Sequence, residues 1–407
     1  MSYLEEIYNY IRSGETEEKG LGLEIEHFII DAAGNQISFH EVSPLIQKVA
    51  EEIGAKLIYM DGYPVGYANE RYSVSLEPAC QFEISISPYK NVSQIEAVYR
   101  EFRALWDPIF AERGYRFETK GNLPLVESGA ITPDDIPLSP KKRYQFMDAH
   151  LQKSGRYGKY MMRASASTQI SLDYRSESDL IRKVRILQKI SPILMIMMEN
   201  KSYEDSTLPE HPDRPHLLRI QEWDDLDPAR TGFCPDPFAP DFGYRKIAEA
   251  VYHTPLILLT DGDVTTGVGS KTAEDLAAEG IVPDSSLDKA RTRQLVEHFL
   301  SMGFFHFRIK KYIEVRIADS APIGKALGYA ALLKGLVYFE RNLEALEKEL
   351  AEVDGTKQTQ EAILKIEKEG RKAGIYKGLT AEQWITRLIV LAGEELPEAE
   401  REYLQYV

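Results

Sequence analysis

The chain has 407 residues, of which 43% are hydrophobic and 28% are charged, a composition typical of a soluble globular protein with a large core. Its formal net charge of -15 argues against a nucleic-acid groove or an anionic membrane surface, so local cations or metal ions would have to hold any anionic substrate. The two cysteines, Cys80 and Cys234, are too few for a disulfide framework and are not spaced as a zinc site.

Helical patterns are predicted along much of the chain. They cover residues 4–12, 44–53, 92–113 and 180–198, the last interrupted by Pro192, and then residues 321–348, 358–372 and 381–392. Two irregular regions, residues 123–140 and 202–240, are rich in Pro, Asp and Gly and are typical of lids or binding loops. Because no linker-like change of composition divides the chain, we expect one domain, with a core over about residues 20–335 and a helical part over about residues 336–407.

Four stretches alternate between apolar and polar residues in the manner of half-buried strands. They are Leu21–Ile30 and residues 81–87, 163–174 and 304–318. Residues two apart on a strand share a face, so each stretch has one apolar and one polar face. The polar faces carry charged and amide side chains: Glu24, Glu26, Gln81, Glu83, Arg163, Gln169, Arg308, Lys310, Glu314 and Arg316. The pattern therefore predicts a sheet whose polar face is a reaction surface.

Glutamates recur on these strands, and the set formed by Glu24, Glu26, Glu77, Glu83 and Glu314 would repel itself unless cations neutralised it. Oxygen ligands without a Cys or His cluster favour Mg²⁺ or Mn²⁺ over zinc. The alternative is an exposed sheet face with scattered salt bridges. Because glutamates recur on three separate strands, this alternative is disfavoured.

Cations accompany these carboxylates and suit phosphoryl transfer, in which metals together with Arg or Lys stabilise the charge on the transferred group. They are Arg163, Arg308, Lys310, Lys311 and Arg316. The chain has no G-x-x-x-x-G-K-[ST] phosphate loop, no H-E-x-x-H and no G-x-S-x-G. The first eleven residues carry no basic leader, and no apolar run approaches the roughly 20 residues of a membrane span, so we expect a cytoplasmic protein.

The blocks that contain these residues resemble the glutamate-cysteine ligase family, especially its plant-type branch and bacterial relatives, within the glutamine-synthetase-like superfamily. In chain order the blocks are LGLEIEHFIID, VSLEPACQFEISISP, KYMMRASASTQISLDY, RTGFCPDPF and FRIKKYIEVRIADSAP. The resemblance implies an α+β fold in which a curved antiparallel sheet forms a funnel, backed by helices, to which the C-terminal helices add a layer. It also implies an ATP-dependent ligase that phosphorylates the γ-carboxylate of glutamate and lets the amine of cysteine displace the phosphate.

The same resemblance implies roles for individual residues. Glu24, Glu26, Glu83 and Glu314 look like magnesium ligands, and Glu77 and Gln169 would complete the metal shells. Arg316, which with Glu314 is assigned to the catalytic step, looks like the residue that contacts the transferring phosphate. The nucleotide phosphates would meet Arg308, Lys310 and Lys311. The carboxylate of the amino-acid substrate would meet Arg230, with Arg163 and Arg219 as further candidates.

One departure concerns Ala79 and Cys80, which stand where the plant-type pattern usually has two glycines, so the backbone is expected to approach a ligand less closely there. Two other functions stay open: a related carboxylate-amine ligase with a different amine acceptor, and a catalytically silent metal-binding protein on the same fold. The expected partners are small molecules, namely ATP, glutamate and cysteine or another amine. We expect no nucleic acid or membrane partner, and a monomer or homodimer.

Overall fold

A computed structural model describes residues 2–262 and 264–407. Its strands are Leu21–Ile30 (β1), Lys56–Met60 (β2), Tyr63–Ala68 (β3), Tyr72–Leu76 (β4), Phe82–Tyr89 (β5), Arg116–Glu118 (β6), Ser167–Leu172 (β7), Leu258–Asp261 (β8), Val264–Gly267 (β9), Phe307–Ile309 (β10) and Ile313–Asp319 (β11).

The helices precede, separate and follow these strands. They are Tyr3–Arg12 (α1), Phe39–Ile53 (α2), Val92–Ala111 (α3), Pro124–Glu127 (α4), Lys142–Ser154 (α5), Gly158–Ala164 (α6), Glu177–Met198 (α7), Leu218–Asp224 (α8), Tyr244–His253 (α9), Ala273–Ala278 (α10), Lys289–Ser301 (α11), Ile323–Val337 (α12), Glu340–Glu349 (α13), Thr356–Glu369 (α14), Ala381–Glu395 (α15) and Glu398–Arg401 (α16).

The main sheet is antiparallel and runs in the order β10-β11-β7-β1-β5-β4-β3-β2, with β6 paired to the end of β1. Strands β8 and β9 form a separate hairpin. The first strand in the chain therefore lies in the middle of the sheet, between β7 and β5. The predicted α+β class and antiparallel sheet are confirmed.

The apolar face of the sheet packs against helices α3, α7 and α12. On β5, Phe82 is fully buried and meets Trp106 of α3 edge to face, with ring centroids 4.7 Å apart. Burying an aromatic side chain of this size stabilises a fold by about 1.5–3 kcal/mol. Contacts of this kind fix the sheet against its helical backing, so its polar face is left to form a site.

Two predicted elements differ from the structure. Residues 163–174 do not form one strand, because α6 continues to Ala164 and β7 begins only at Ser167. The sequence KYMMRA within α6 consists mainly of good helix formers, and its buried methionines satisfy a helical as well as an extended pattern. The predicted helix 321–348 is two helices, α12 and α13, which are separated at Tyr338 and Phe339.

Helix α7 runs without a break through Pro192, although proline removes one backbone hydrogen bond. Its last nine residues are all buried, so packing on both sides compensates for the lost bond. The irregular regions predicted at residues 123–140 and 202–240 contain only the short helices α4 and α8 and a 3₁₀ turn at Pro133–Asp135. Within the described residues, no helix has the length and apolarity needed to cross a membrane.

Candidate active site

A cavity of about 420 Å³ lies between the polar face of the sheet and helices α5, α6 and α8. This volume is typical of small-molecule sites. Most of the residues singled out in the sequence line it: Glu24, Glu26, Glu77, Glu83, Gln169, Arg219, Arg308, Lys310, Glu314 and Arg316. The reaction surface expected from strand alternation is therefore one continuous site.

The pairing of the strands explains why residues distant in sequence meet here. On β1, Glu26 lies directly opposite Glu83 of β5, and Glu24 lies directly opposite Gln169 of β7. On the other side of β7, Glu314 of β11 lies beside Ser171. Directly opposed residues on antiparallel strands bring their Cβ atoms to about 5 Å, so the carboxylates are concentrated by register.

Four of the glutamates form what we call the acidic wall: Glu24, Glu26, Glu77 and Glu83. Within the described part of the chain, no cationic side chain lies within ion-pairing distance of any of them. Neutral groups donate to them instead. The Ser75 hydroxyl lies 3.0 Å from Glu77 and 3.3 Å from Glu83, and the backbone N–H of Ser167 lies 2.6 Å from Glu26.

The pKa values of Glu24, Glu26 and Glu83 are raised. Burial and the neighbouring Glu77 raise the pKa of Glu26 to about 7. Burial, followed by Glu24 and Glu77, raises the pKa of Glu83 well above its ordinary value, and burial and Glu314 raise that of Glu24. The cations of the cavity, Arg316 among them, lower the pKa of Glu24 and Glu26 but do not outweigh burial.

Glu314 has the opposite environment. It is fully buried, and it accepts from Arg308 Nε at 2.5 Å, Lys310 Nζ at 2.8 Å and Arg316 Nη1 at 3.1 Å. Burial alone would raise the pKa of Glu314, but these three cations outweigh burial and hold the pKa well below its ordinary value. We call Arg308, Lys310 and Arg316 the basic cluster.

The structure shows Glu314 as the acceptor of three ion pairs, and its expected role as a metal ligand stays a prediction. Both of its carboxylate oxygens are engaged by the basic cluster, so the structure places it as the counter-ion that holds three cations together. Arg316 also donates to the side-chain oxygen of Gln169 at 2.5 Å. Gln169 is therefore oriented by the arginine as well as by the acidic wall, to which its amide donates at 3.4 Å through Glu26.

Sequence reasoning missed a group at the start of α5. Lys141, Arg143 and Tyr144 line the cavity, although the run KKRY after a Pro-rich segment is typical of a solvated helix start. Arg143 has no carboxylate within 4 Å among the described residues, and its nearest side-chain partner is the Ser301 hydroxyl at 3.5 Å. Tyr144 donates to Glu77 at 3.2 Å. Trp223 of α8 also lines the cavity and lies against Arg219.

Three predicted substrate contacts lie outside the cavity lining, so the structure does not bring them together with the other predicted residues. Arg163 is on helix α6, not on a strand, and pairs with Asp148 at 2.9 Å. Lys311 follows Lys310 but points away from it, and its ammonium lies 5.1 Å from the centre of the Tyr10 ring.

Arg230 is the third of these residues and is only 2% exposed. Its guanidinium pairs with Asp227, three residues earlier in the same turn, through Nη1. Its Nε and Nη2 are buried without a hydrogen-bond partner in the described chain, and the backbone carbonyl of Arg230 accepts from the N–H of Phe304 at 2.7 Å. The role predicted for Arg230 at a substrate carboxylate therefore stays a prediction.

The turn between β4 and β5 keeps a glycine-like backbone despite its side chains. Cys80 has φ of +65°, in the left-handed region that favours glycine. Ala79 and Cys80 are both 1% exposed, and Gln81 accepts from the Ala79 N–H at 2.8 Å. The turn therefore positions Glu77 and Gln81 at the cavity. Ala79 and Cys80, which stand in place of the two glycines usual in the plant-type pattern, pack into the core.

The acidic wall suits a hard divalent cation. Across residues 2–262 and 264–407, no three His, Cys, Asp or Glu side chains converge closely enough to make a complete metal centre. Mg²⁺ usually takes only one or two carboxylates and completes its shell with water and substrate phosphates. A wall of carboxylate oxygens on which no cationic side chain of the described residues lies within ion-pairing distance fits that mode of binding.

Comparison with known proteins finds relatives that match most of this chain. Glutamate-cysteine ligase, chloroplastic, from Medicago truncatula is 27% identical over 343 residues, which cover 84% of this chain and 65% of that protein. Glutamate-cysteine ligase B, chloroplastic, from Oryza sativa subsp. japonica is 26% identical over 346 residues, covering 84% and 67%. The chain thus spans about two thirds of the length of these relatives.

A solved structure shares the fold. It is the glutamate-cysteine ligase of Francisella tularensis in complex with AMP, with a TM-score of 0.50 and 12% identity, covering 96% of this chain and 81% of that one. A family model, glutamate-cysteine ligase family 2, also matches residues 20–402. This span contains the acidic wall, the basic cluster and the C-terminal helices α12 to α15. The chain therefore belongs to glutamate-cysteine ligase family 2.

Proposed function

We propose that the protein is an ATP-dependent ligase that joins the γ-carboxylate of glutamate to the amine of cysteine through a γ-glutamyl phosphate. The observation that carries this proposal is the division of one cavity into an acidic wall and a basic cluster that share the same sheet. A nucleotide triphosphate needs both: metal-binding carboxylates and fixed cations for its phosphates. Membership of the family supports glutamate and cysteine as the substrates.

The basic cluster is suited to the transferring phosphoryl group. Glu314 holds Arg308, Lys310 and Arg316 close together before any substrate arrives. Cations that are preorganised in this way stabilise charge that develops in a transition state without reorganising. A divalent cation on the acidic wall, when bound, would neutralise phosphate charge and help to orient the phosphates.

A second set of cations is suited to the α-carboxylate of the amino-acid substrate. Lys141, Arg143 and Arg219 line the cavity and, among the described residues, none of them has a carboxylate within 4 Å. Burial lowers the pKa of Lys141 and Arg143, because a charged group loses hydration there. An anionic substrate group would supply the missing partner, and we assign this role to Arg143.

The chemical path follows from the groups that line the cavity. Neither Cys80 nor Cys234 is part of the lining in the described chain. Ser165 and Ser301 do line it, but each donates its hydroxyl to a backbone carbonyl, of Met161 at 2.9 Å and of His298 at 2.7 Å. No base activates either hydroxyl, so the substrate carboxylate itself is the acceptor of the phosphoryl group.

The test uses glutamate labelled with heavy oxygen at its γ-carboxylate, with ATP, Mg²⁺ and a panel of amines that includes cysteine. We expect ADP as the nucleotide product and one labelled oxygen in the released phosphate, with turnover that depends on cysteine. Release of AMP and pyrophosphate would indicate an adenylate and would overturn the proposal. ADP and labelled phosphate that depend on another amine would establish a carboxylate-amine ligase with a different acceptor.

Substitution of Arg143 by Lys tests the assignment of the carboxylate. We expect the KM for glutamate to rise by about 10-fold or more while the KM for ATP changes little, because Lys cannot reproduce the two-pronged contact of a guanidinium with a carboxylate. The exposed Arg116→Lys change serves as the matched control. Equal increases for both substrates would mean that α5 had moved, and no increase would remove Arg143 from the carboxylate site.

A further inference from the structure

A second cavity, of about 260 Å³, lies on the other side of α8 from the active-site cavity. Arg219 and Trp223 of this helix line the first cavity, whereas Leu218 and Glu222 line the second. Successive residues around a short helix point in different directions, so α8 forms a partition between the two spaces. Nothing in the proposed ligase chemistry uses the second cavity.

Glu222 is the most unusual group in this cavity. It is fully buried, and one carboxyl oxygen accepts from the amide of Asn122 at 2.5 Å. Its other oxygen, Oε2, has no hydrogen-bond partner in the described chain. Leaving a buried acceptor unsatisfied is costly, more so for an ionised group, so the carboxyl is built to receive a donor that the protein does not provide.

The charged and titratable groups around Glu222 come from several elements. Burial is the main cause that raises the pKa of Glu222 to about 8, and it is opposed by Asn122 and by the Arg219 guanidinium. Asp319 and Glu127 raise it further, and the phenol of Tyr160 also lies close to Glu222. Arg219 is near enough to act on the charge but donates to the backbone of Arg316, not to Glu222.

The rest of the lining defines the class of ligand. Val126, Leu208 and Leu218 are buried apolar side chains, and Tyr160 adds an aromatic ring. Glu127 is already occupied, because it accepts from the N–H groups of Ser202 and Tyr203 and from the Ser206 hydroxyl. An anion would meet two carboxyl groups here, and a hard metal ion would find too few free oxygens. A cation with an apolar body satisfies Glu222, the apolar wall and the ring together.

We propose that this cavity binds a small organic ammonium ion, with the ammonium group on Oε2 of Glu222 and the carbon chain against Val126, Leu208 and Leu218. This inference goes beyond the proposed reaction, and it holds whether or not the acceptor is cysteine. Such an ion would act on the enzyme through α8, and it has two possible sources: a second molecule of the acceptor amine, or a different amine. The chemistry at Glu222 is the same for both.

The test is a titration of the full chain with n-butylammonium by calorimetry, without ATP or glutamate, so that its result is independent of the ligase proposal. We expect saturable one-to-one binding with release of up to one proton at pH 7, because the cation favours the ionised form of Glu222. At pH 9 the carboxyl is already ionised, so proton release disappears while binding remains. Uncharged n-butanol should bind at least 10-fold more weakly.

Two variants and a control complete the experiment. Glu222→Gln keeps an acceptor for Asn122 but removes the charge, so we expect affinity to fall at least 10-fold and proton release to vanish. Ser128→Phe leaves Glu222 intact and narrows the cavity from an exposed position in its lining, so it should also weaken binding if Glu222→Gln does not fold. The exposed Glu274→Gln change should alter neither quantity. Unchanged affinity in both cavity variants, or no binding to the wild-type chain, would overturn the proposal.

Competition distinguishes the two sources of the amine. If cysteine displaces n-butylammonium from the wild-type chain with the same dependence on Glu222, the cavity binds a second molecule of the acceptor amine. If cysteine does not compete while n-butylammonium changes the rate of turnover, the cavity holds a separate effector. Either result keeps the organic ammonium as its ligand.

Discussion

Replacing Glu314 with Gln is expected to lower turnover by about 100-fold or more, even though Glu314 is fully buried and has no free oxygen for a substrate. The carboxylate holds Arg308, Lys310 and Arg316 together, and removal of its charge leaves three cations repelling one another around a neutral amide. Loss of one preorganised electrostatic group in an active site typically costs a factor of 10²–10³ in rate. Turnover measured at saturating substrates checks the prediction.

The same change should destabilise the protein by about 3–5 kcal/mol, as removal of one partner from a buried ion pair generally does. The sign of the pH dependence follows from the depressed pKa of Glu314. The stabilisation is present above the ordinary pKa of a glutamate and is lost as pH falls below it. The difference in unfolding free energy between wild type and variant should therefore shrink in acid.

Glu347→Gln is the matched control, because Glu347 pairs with Arg182 at 2.7 Å but is 37% exposed. A surface pair of this kind contributes about 0–1 kcal/mol, so its loss should leave turnover unchanged. Near-normal turnover of the Glu314→Gln variant would reduce the basic cluster to a structural ion-pair network.

The strands that line the cavity were predicted from sequence because their alternation of apolar and polar residues is a local pattern, whereas β2, β3, β4 and β6 were not predicted. In β1 the alternation of Leu23 and Ile25 with Glu24 and Glu26 reports directly which side chains face the core. The predicted Leu21–Ile30 stretch agrees with the structure to the residue. Register then follows from burying the apolar face, since a slip of one residue would bury the glutamates.

The contacts of those side chains could not be predicted. Alternation shows on which face of the sheet a side chain lies, but not which residue it contacts. Glu314 and Glu83 both occur on predicted strands, yet one meets three cations and the other meets carboxylates. Arg143 was missed since helix α5 reaches the cavity only through the tertiary fold. The ion pair between Arg230 and Asp227 was not predicted either, because it lies in a loop whose conformation has no periodic signal.

Neutralising Glu83 should move stability and activity in opposite directions. Burial and its carboxylate neighbours raise the pKa of Glu83 well above its ordinary value. The Glu83 carboxyl group therefore lowers the free energy of unfolding of the metal-free protein at pH 7. Glu83→Gln should therefore raise the Tm of the metal-free protein by a few degrees. The same change should lower turnover by about 100-fold, because it weakens the wall that would hold the divalent cation and, through it, the phosphates.

The metal dependence of Tm separates these effects. For the wild-type chain, Mg²⁺ should raise Tm, since a ligand that binds only the folded state stabilises it, and excess chelator should abolish turnover. In Glu83→Gln the rise caused by Mg²⁺ should be much smaller, whereas Glu112→Gln, at a side chain that is 78% exposed, should behave like wild type. Full turnover in excess chelator, or a Glu83→Gln variant with lower Tm and normal turnover, would show that the acidic wall supports the fold and not the reaction.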